Sequence, residues 1–180
     1  MPDQNIPLHP PVVVRTGTVA DVDGVMELAL LGSAENGFTT PSPQKMLRDV
    51  YEALSLDQGI MGVIGSPGGK LEGAVLLRIS WPWYTEERTL EERGIFVHPD
   101  HRDAKGGRFA RLVEFSKAVA LGLDLPLSIG VLSNHRTEAK VRTYRRLLGE
   151  PAGAFFLWNA RTGQHNARTG GAVKGENTDG

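Results

Sequence analysis

The segment from Leu90 to Arg111, LEERGIFVHPDHRDAKGGRFAR, constrains this chain more than any other stretch. An apolar, strand-like run (Ile95, Phe96, Val97) meets Pro99 and a basic, glycine-bearing turn from Arg102 to Arg108, and a helical pattern follows at once. A strand feeding such a turn and then a helix start builds an anion site. The turn exposes backbone N–H groups, glycine lets a ligand approach the main chain, and the helix N-terminus adds partial positive charge. The order points to a grip on a phosphorylated cofactor. A plain basic turn capped by Asp103 is the structural alternative, but strand, turn and helix agree on the anion site.

Composition narrows the class. A chain of 180 residues, 40% apolar, is expected to form one domain with a tail. The net charge of −1 argues against general electrostatic binding to nucleic acid or an anionic membrane. With no cysteine, disulfides, thiolate catalysis and Cys-ligated zinc are excluded. No apolar run approaches the roughly 20 residues that span a bilayer. The opening MPDQNIPLHPP lacks the basic and apolar regions of a signal peptide, so a cytoplasmic α/β protein is expected.

Along the chain, residues 1–11 are polar and Pro-rich and read as a loose arm. Val12–Arg15 reads as a short strand. Thr18–Asp21 has capping-box form ahead of a helix (Val22, Val25, Met26, Ala29) expected to stop near Gly32. Ser42-Pro43 opens a second helix with Met46, Leu47, Val50 and Leu54 on its apolar face. Gly59–Gly65 and Leu71–Ser80, separated by Ser-Pro-Gly-Gly, form an antiparallel hairpin. Thr89–Val97 is the next strand, Lys105–Leu121 a helix, Leu127–Leu132 a strand, Asn134–Leu148 a helix closed by Gly149, and Ala154–Trp158 a last strand. From Asn159 the composition shifts to Gly, Thr, Asn and charge, and residues 159–180 read as a flexible tail. The order β-α-α-β-β-β-α-β-α-β predicts an α/β fold of the α+β type, a mixed, largely antiparallel sheet flanked by helices.

Three motifs in this order resemble the GNAT superfamily of acyl-CoA-dependent N-acyltransferases, over about Val12 to Trp158. They are Ile95-Phe-Val-His-Pro-Asp-His-Arg102 with Lys105-Gly-Gly107, then Val131-Leu-Ser-Asn134, then Thr143-Tyr-Arg-Arg-Leu-Leu-Gly149. The family's pyrophosphate loop has the form Arg/Gln-x-x-Gly-x-Gly/Ala. Here the first glycine comes one position late, or Lys105 stands where glycine is expected. No run after Trp158 reads as the family's usual final strand.

The resemblance implies acetyl-CoA as co-substrate, no metal, and a small-molecule or peptide amine as acceptor; a homodimer is compatible with it. Tyr144 matches the general acid that protonates the leaving thiolate. A half-buried structural tyrosine is the alternative, since Val141 and Leu148 share its face. Glu91 and Glu92 match the strand carboxylate that takes the amine proton. Strand alternation lets only one face the cleft; counting back from Val97 gives Glu91, and a bulge would exchange them. Solvent pairing with Arg88 or Arg93 competes with that role. The backbone of Ile95, Phe96 and Val97 would pair with the pantetheine arm, and Arg102, Lys105, Gly106, Gly107, Arg108 and Phe109 form the cofactor loop. Asn134 caps its helix and in the family also binds the cofactor. His98 and His101 lack a third metal partner at suitable spacing. Trp81, Trp83 and Tyr84 read as an aromatic cluster at a strand end or an acceptor lining. A GNAT-fold module that binds acyl-CoA or a partner without catalysis is the second reading. Nucleic-acid binding through Arg142, Arg145 and Arg146 is a third, opposed by the near-neutral charge.

Overall fold

A computed structural model describes residues 11–102, 105–133, 136–154, 156–159 and 164–165. The Ser66-Pro-Gly-Gly turn, closed by Gly69 N–H donating to Ser66 O (3.0 Å), joins β2 (Gly59–Gly65) to β3 (Leu71–Ser80) as the expected hairpin. Gly68 takes φ +66° there, a left-handed conformation that glycine adopts without strain. Around the hairpin the order is β1-β2-β3-β4-β5, with β1 at Arg15–Thr16, β4 at Thr89–Val97 and β5 at Leu127–Ile129. All neighbours run antiparallel except β4 and β5, which are parallel. The sheet is mixed and largely antiparallel, as predicted.

Alternation splits the core into two layers. Met61, Val63 and Ala74 pack under α1 (Val22–Asn36) and α2 (Pro43–Leu54). Ile64, Val75, Leu77 and Leu90 pack on the opposite face under Leu112 and Ala120 of α3 (Arg108–Leu123). α4 (Thr137–Leu148) lies beside α3 and ends at Gly149. Ser42 caps α2 through its hydroxyl, with Pro43 in the first turn.

Several boundaries differ from the sequence expectation. α1 does not stop near Gly32 but continues to Asn36, ending at Gly37 in the left-handed region (φ +60°). Gly32 serves contact rather than termination: a Cβ there would lie 2.8 Å from the Phe96 ring. α3 begins at Arg108 rather than Lys105, because Gly106 (φ +118°) and Gly107 (φ +58°) cannot be helical. Asn134 and Asp103 fall outside the described residues. In place of a strand at Ala154–Trp158, β6 (Trp158–Asn159) pairs antiparallel with β7 (Gln164–His165), across the boundary drawn at residue 158.

One buried ion pair ties the N-terminal strand to the hairpin. The Asp21 side chain is fully enclosed and takes both guanidinium N–H groups of Arg15 (2.7 and 2.8 Å). It also accepts the backbone N–H groups of Thr18 (2.9 Å) and Gly68 (3.2 Å). The Arg15 bond above all holds its carboxyl well below the usual carboxylate range, against the cost of burial. This stabilisation is present above the unfolded value of 3.8 and is lost as pH falls toward the lower folded value. Asp21→Ala strands a half-buried guanidinium and two amides. It should cost about 3 kcal/mol, measured by urea unfolding at neutral pH; a loss below about 1 kcal/mol would mean that water replaces the carboxylate.

Candidate active site

The site begins with a register break. Leu76 of β3 pairs with Gly94, but Leu77 pairs with Glu92, so Arg93 is an extra, unmatched residue on β4. Such a bulge reverses the side-chain parity beyond it. Ile95 and Val97 belong to the α3-side core, and so does Leu90 on the other side of the bulge. Strict alternation back from Val97 would turn Glu91 inward, and that count is corrected here. Glu91 lies on the other parity and pairs with Arg93 (3.3 Å), while Glu92 is the buried one, only 8% exposed.

Glu92 meets Tyr144 of α4. The tyrosine hydroxyl donates to Glu92 Oε2 at 2.8 Å. Burial pushes the Glu92 carboxyl up to about 7, although the Tyr144 bond and the Lys140 charge pull the other way. Burial and the facing carboxylate raise the Tyr144 phenol above its ordinary range. Phe109 packs edge-on against the Tyr144 ring, with centroids 5.3 Å apart.

Past Glu92 the pairing stops, because β5 ends at Ile129. The β4–β5 ladder runs Leu90↔Leu127, Glu91↔Ser128, Glu92↔Ile129, whereas β4 itself continues to Val97. A cleft of about 260 Å³ occupies the space beside the unladdered part of β4. It brings together Ile95, Phe96, Val97, Arg102, Gly107, Arg108 and Phe109 of the sequence-predicted set. Lys105 and Gly106 form the exposed turn next to it. Tyr144 and Glu92 bond to each other and do not line the cleft.

Among the described residues, five cations line the cleft (Arg102, Arg108, Arg136, Lys140, Arg146) against the single carboxylate of Glu35. Arg102 donates to Val97 O (2.9 Å), holds both oxygens of Glu35 (2.8 and 2.9 Å) and lies over the Phe96 ring. Arg108 pairs with Glu72 at 2.6 Å. Lys140 donates to Ser133 Oγ at 2.6 Å, and burial, then the nearby Arg102 charge, lowers its pKa. Gly107 precedes the first turn of α3, whose leading N–H groups have no intrahelical acceptors. The arrangement suits a ligand with a polyanionic end and a slender polar arm.

Sequence reasoning missed Lys140 and Glu35. Lys140 lies one turn before Tyr144, so helical spacing from that residue would have found it. Glu35 had no signal once α1 was ended at Gly32. Trp81, Trp83 and Tyr84 are exposed and do not line the cleft. Among the described residues no group of three or more His, Asp or Glu side chains is placed to hold a metal ion, and no helix is long and apolar enough to cross a membrane.

No family model and no curated protein matches the sequence. Solved structures do match. Aminoglycoside N-acetyltransferase AAC(6')-Iy, solved with the bisubstrate analogue CoA-S-monomethyl-acetylneamine, is 15% identical with TM-score 0.63, over 84% of this chain and 99% of that one. A ribosomal-protein-alanine N-acetyltransferase from Brucella melitensis biovar Abortus 2308 is 17% identical with TM-score 0.58, over 81% and 96%. A predicted acetyltransferase from Clostridium acetobutylicum, solved with acetyl-CoA, is 12% identical with TM-score 0.61, over 86% and 99%. With the five-stranded, largely antiparallel sheet flanked by four helices, these likenesses show that the chain has a GNAT-like fold.

Proposed function

We propose that this chain transfers an acetyl group from acetyl-CoA to a small amine. The observation that carries the reading is the cationic cleft along β4 beyond its last pairing with β5 at Glu92, which reaches Gly107 and the start of α3. Pantetheine would add to the free edge of β4 along Ile95, Phe96 and Val97, as a further strand would. The pyrophosphate would meet the leading amides of α3, with Lys105 and Arg108 beside it. Similar folds bound to CoA analogues, AAC(6')-Iy among them, support the assignment. Asn134 remains assigned to the cofactor by its sequence motif alone.

The chemistry follows from the buried pair. Amide formation needs a neutral amine at the thioester carbon and a proton for the leaving sulfur. With Glu92 ionised, the Tyr144 proton is committed to the carboxylate. With Glu92 protonated, its own O–H can donate to the Tyr144 oxygen, freeing the phenolic proton for sulfur. Tyr144, which packs on the cleft-lining Phe109 and follows the cleft-lining Thr143, would then be the general acid for a thioester that reaches this end of the cleft, and Glu92 its proton reservoir. Glu91, paired with Arg93 across the bulge, keeps no part in this step.

Gly107 provides the test. Its left-handed φ of +58° is one that Asp and Asn tolerate, and the nearest atom to an added Cβ is 4.0 Å away. Gly107→Asp therefore puts a carboxylate at the pyrophosphate position, and Gly107→Asn has the same shape without charge. Calorimetry should give acetyl-CoA affinity about tenfold lower for the Asp variant than for the Asn variant. Equal affinities would remove the pyrophosphate from this turn.

A further inference from the structure

A second cavity, of about 350 Å³, lies on the other face of β4, between α1 and α2. Ile95 and Phe96 line both cavities, so only the strand just past the bulge separates them. At that point Gly94 supplies no side chain, and an added Cβ there would meet nothing within 4 Å. The second cavity thus opens onto the strand edge where, on the acetyl-transfer reading, the thioester would lie.

Its walls are mostly hydrophobic, with Ser33 and Asn36 of α1 as neutral polar exceptions. Val25, Leu28 and Ala29 come from α1, Val50 from α2 and Met61 from β2. Asp49 and Arg93 are the only charged lining residues among those described. Asp49 is already engaged by Lys45 Nζ (2.8 Å) and lies 3.6 Å from an Arg78 nitrogen. The cavity therefore offers no uncompensated carboxylate to a second ammonium, and burying one there would be costly. Its volume is that of a small-ligand pocket, and its lining suits a hydrocarbon or aromatic body.

We propose that this cavity holds the apolar body of the acceptor, so that the substrate is a monoamine on a hydrophobic frame and not a polycation. The proposal rests on the acetyl-transfer reading of the opposite cleft. The amine nitrogen, neutral when it reacts, attacks the thioester carbonyl carbon. The C–N bond forms, the C–S bond breaks with its electron pair leaving on sulfur, nitrogen loses one proton and the thiolate gains one. No further reactant is needed.

The probes are 2-phenylethylamine and neamine, with thiol release as the rate and calorimetry of 2-phenylethylamine into the CoA-saturated protein as the binding readout. The kcat/KM for 2-phenylethylamine should exceed that for neamine by about tenfold or more. Gly94→Leu and Ala29→Phe fill the cavity from opposite walls. Each should lower 2-phenylethylamine affinity about tenfold while acetyl-CoA affinity holds, and the latter also reports that the variant is folded. Two results overturn the pocket assignment alone: neamine as the better acceptor, or 2-phenylethylamine binding unaltered in both variants that still bind acetyl-CoA. Failure of the wild-type chain to bind acetyl-CoA overturns the transferase reading, and the acceptor role of the cavity falls with it.

Discussion

Tyr144→Phe should lower turnover by about 10²-fold or more, the usual contribution of a placed general acid, with acetyl-CoA affinity unchanged. The substitution removes one hydroxyl and keeps the ring that packs on Phe109. It also leaves Glu92 without its hydrogen-bond partner, in a setting that already favours the protonated carboxyl. The fold should therefore hold, and the change should appear in kcat with KM for acetyl-CoA little altered. Thiol release under acceptor saturation measures it. A variant that turns over at the wild-type rate while chemistry is rate-limiting would make Tyr144 a clamp between α4 and β4 and nothing more.

The second large effect is on pH dependence. Burial raises the Glu92 carboxyl from 4.5 to about 7, against the bond from Tyr144. Between these values the unfolded chain ionises Glu92 while the folded chain keeps the proton, so its contribution to stability is lost as pH rises through the window. Glu92→Gln cannot ionise and abolishes that slope. Relative to wild type, the variant should gain about 3 kcal/mol between pH 4.5 and about pH 8. The difference between variant and wild type cancels the titrating groups not coupled to Glu92 and any pH-independent cost of the amide. Urea unfolding of both proteins across that range measures it. Parallel curves would mean that Glu92 is ionised in the folded protein near its ordinary value. On the proposed mechanism, in which the protonated carboxyl would be the active form, the same group should set an alkaline limb near pH 7 in wild-type kcat, and the limb should be absent in the variant.

These two residues show what the sequence could and could not supply. Tyr144 was legible because its neighbours Thr143 to Gly149 carry a helix-end motif. The strand, the basic turn and the helix start were legible because Pro, Gly and apolar spacing change sharply between Val97 and Arg108. The choice between Glu91 and Glu92 was not. A bulge at Arg93 adds one residue against β3, and nothing in LEERGIF marks which position is extra until the partner strand fixes the register. Gly32 misled for a related reason. A glycine in a helical pattern reads as a stop, but here it admits the Phe96 ring of a strand that follows it by more than fifty residues. The short hairpin of Trp158–Asn159 with Gln164–His165 sits in polar sequence whose composition resembles a tail. Two-residue strands carry no periodicity to read. The cavities were illegible altogether, since they arise where β4 runs on past the end of β5 and from the space left at Gly94.

The most direct measurement is a crystal structure of the full chain with CoA bound. The account predicts pantetheine laid along the backbone of Ile95, Phe96 and Val97 in the cleft between β4 and α4, the pyrophosphate on the turn from Lys105 to Arg108, and the sulfur within hydrogen-bond reach of the Tyr144 hydroxyl. CoA bound anywhere else on the molecule, or with its sulfur remote from Tyr144, would contradict it.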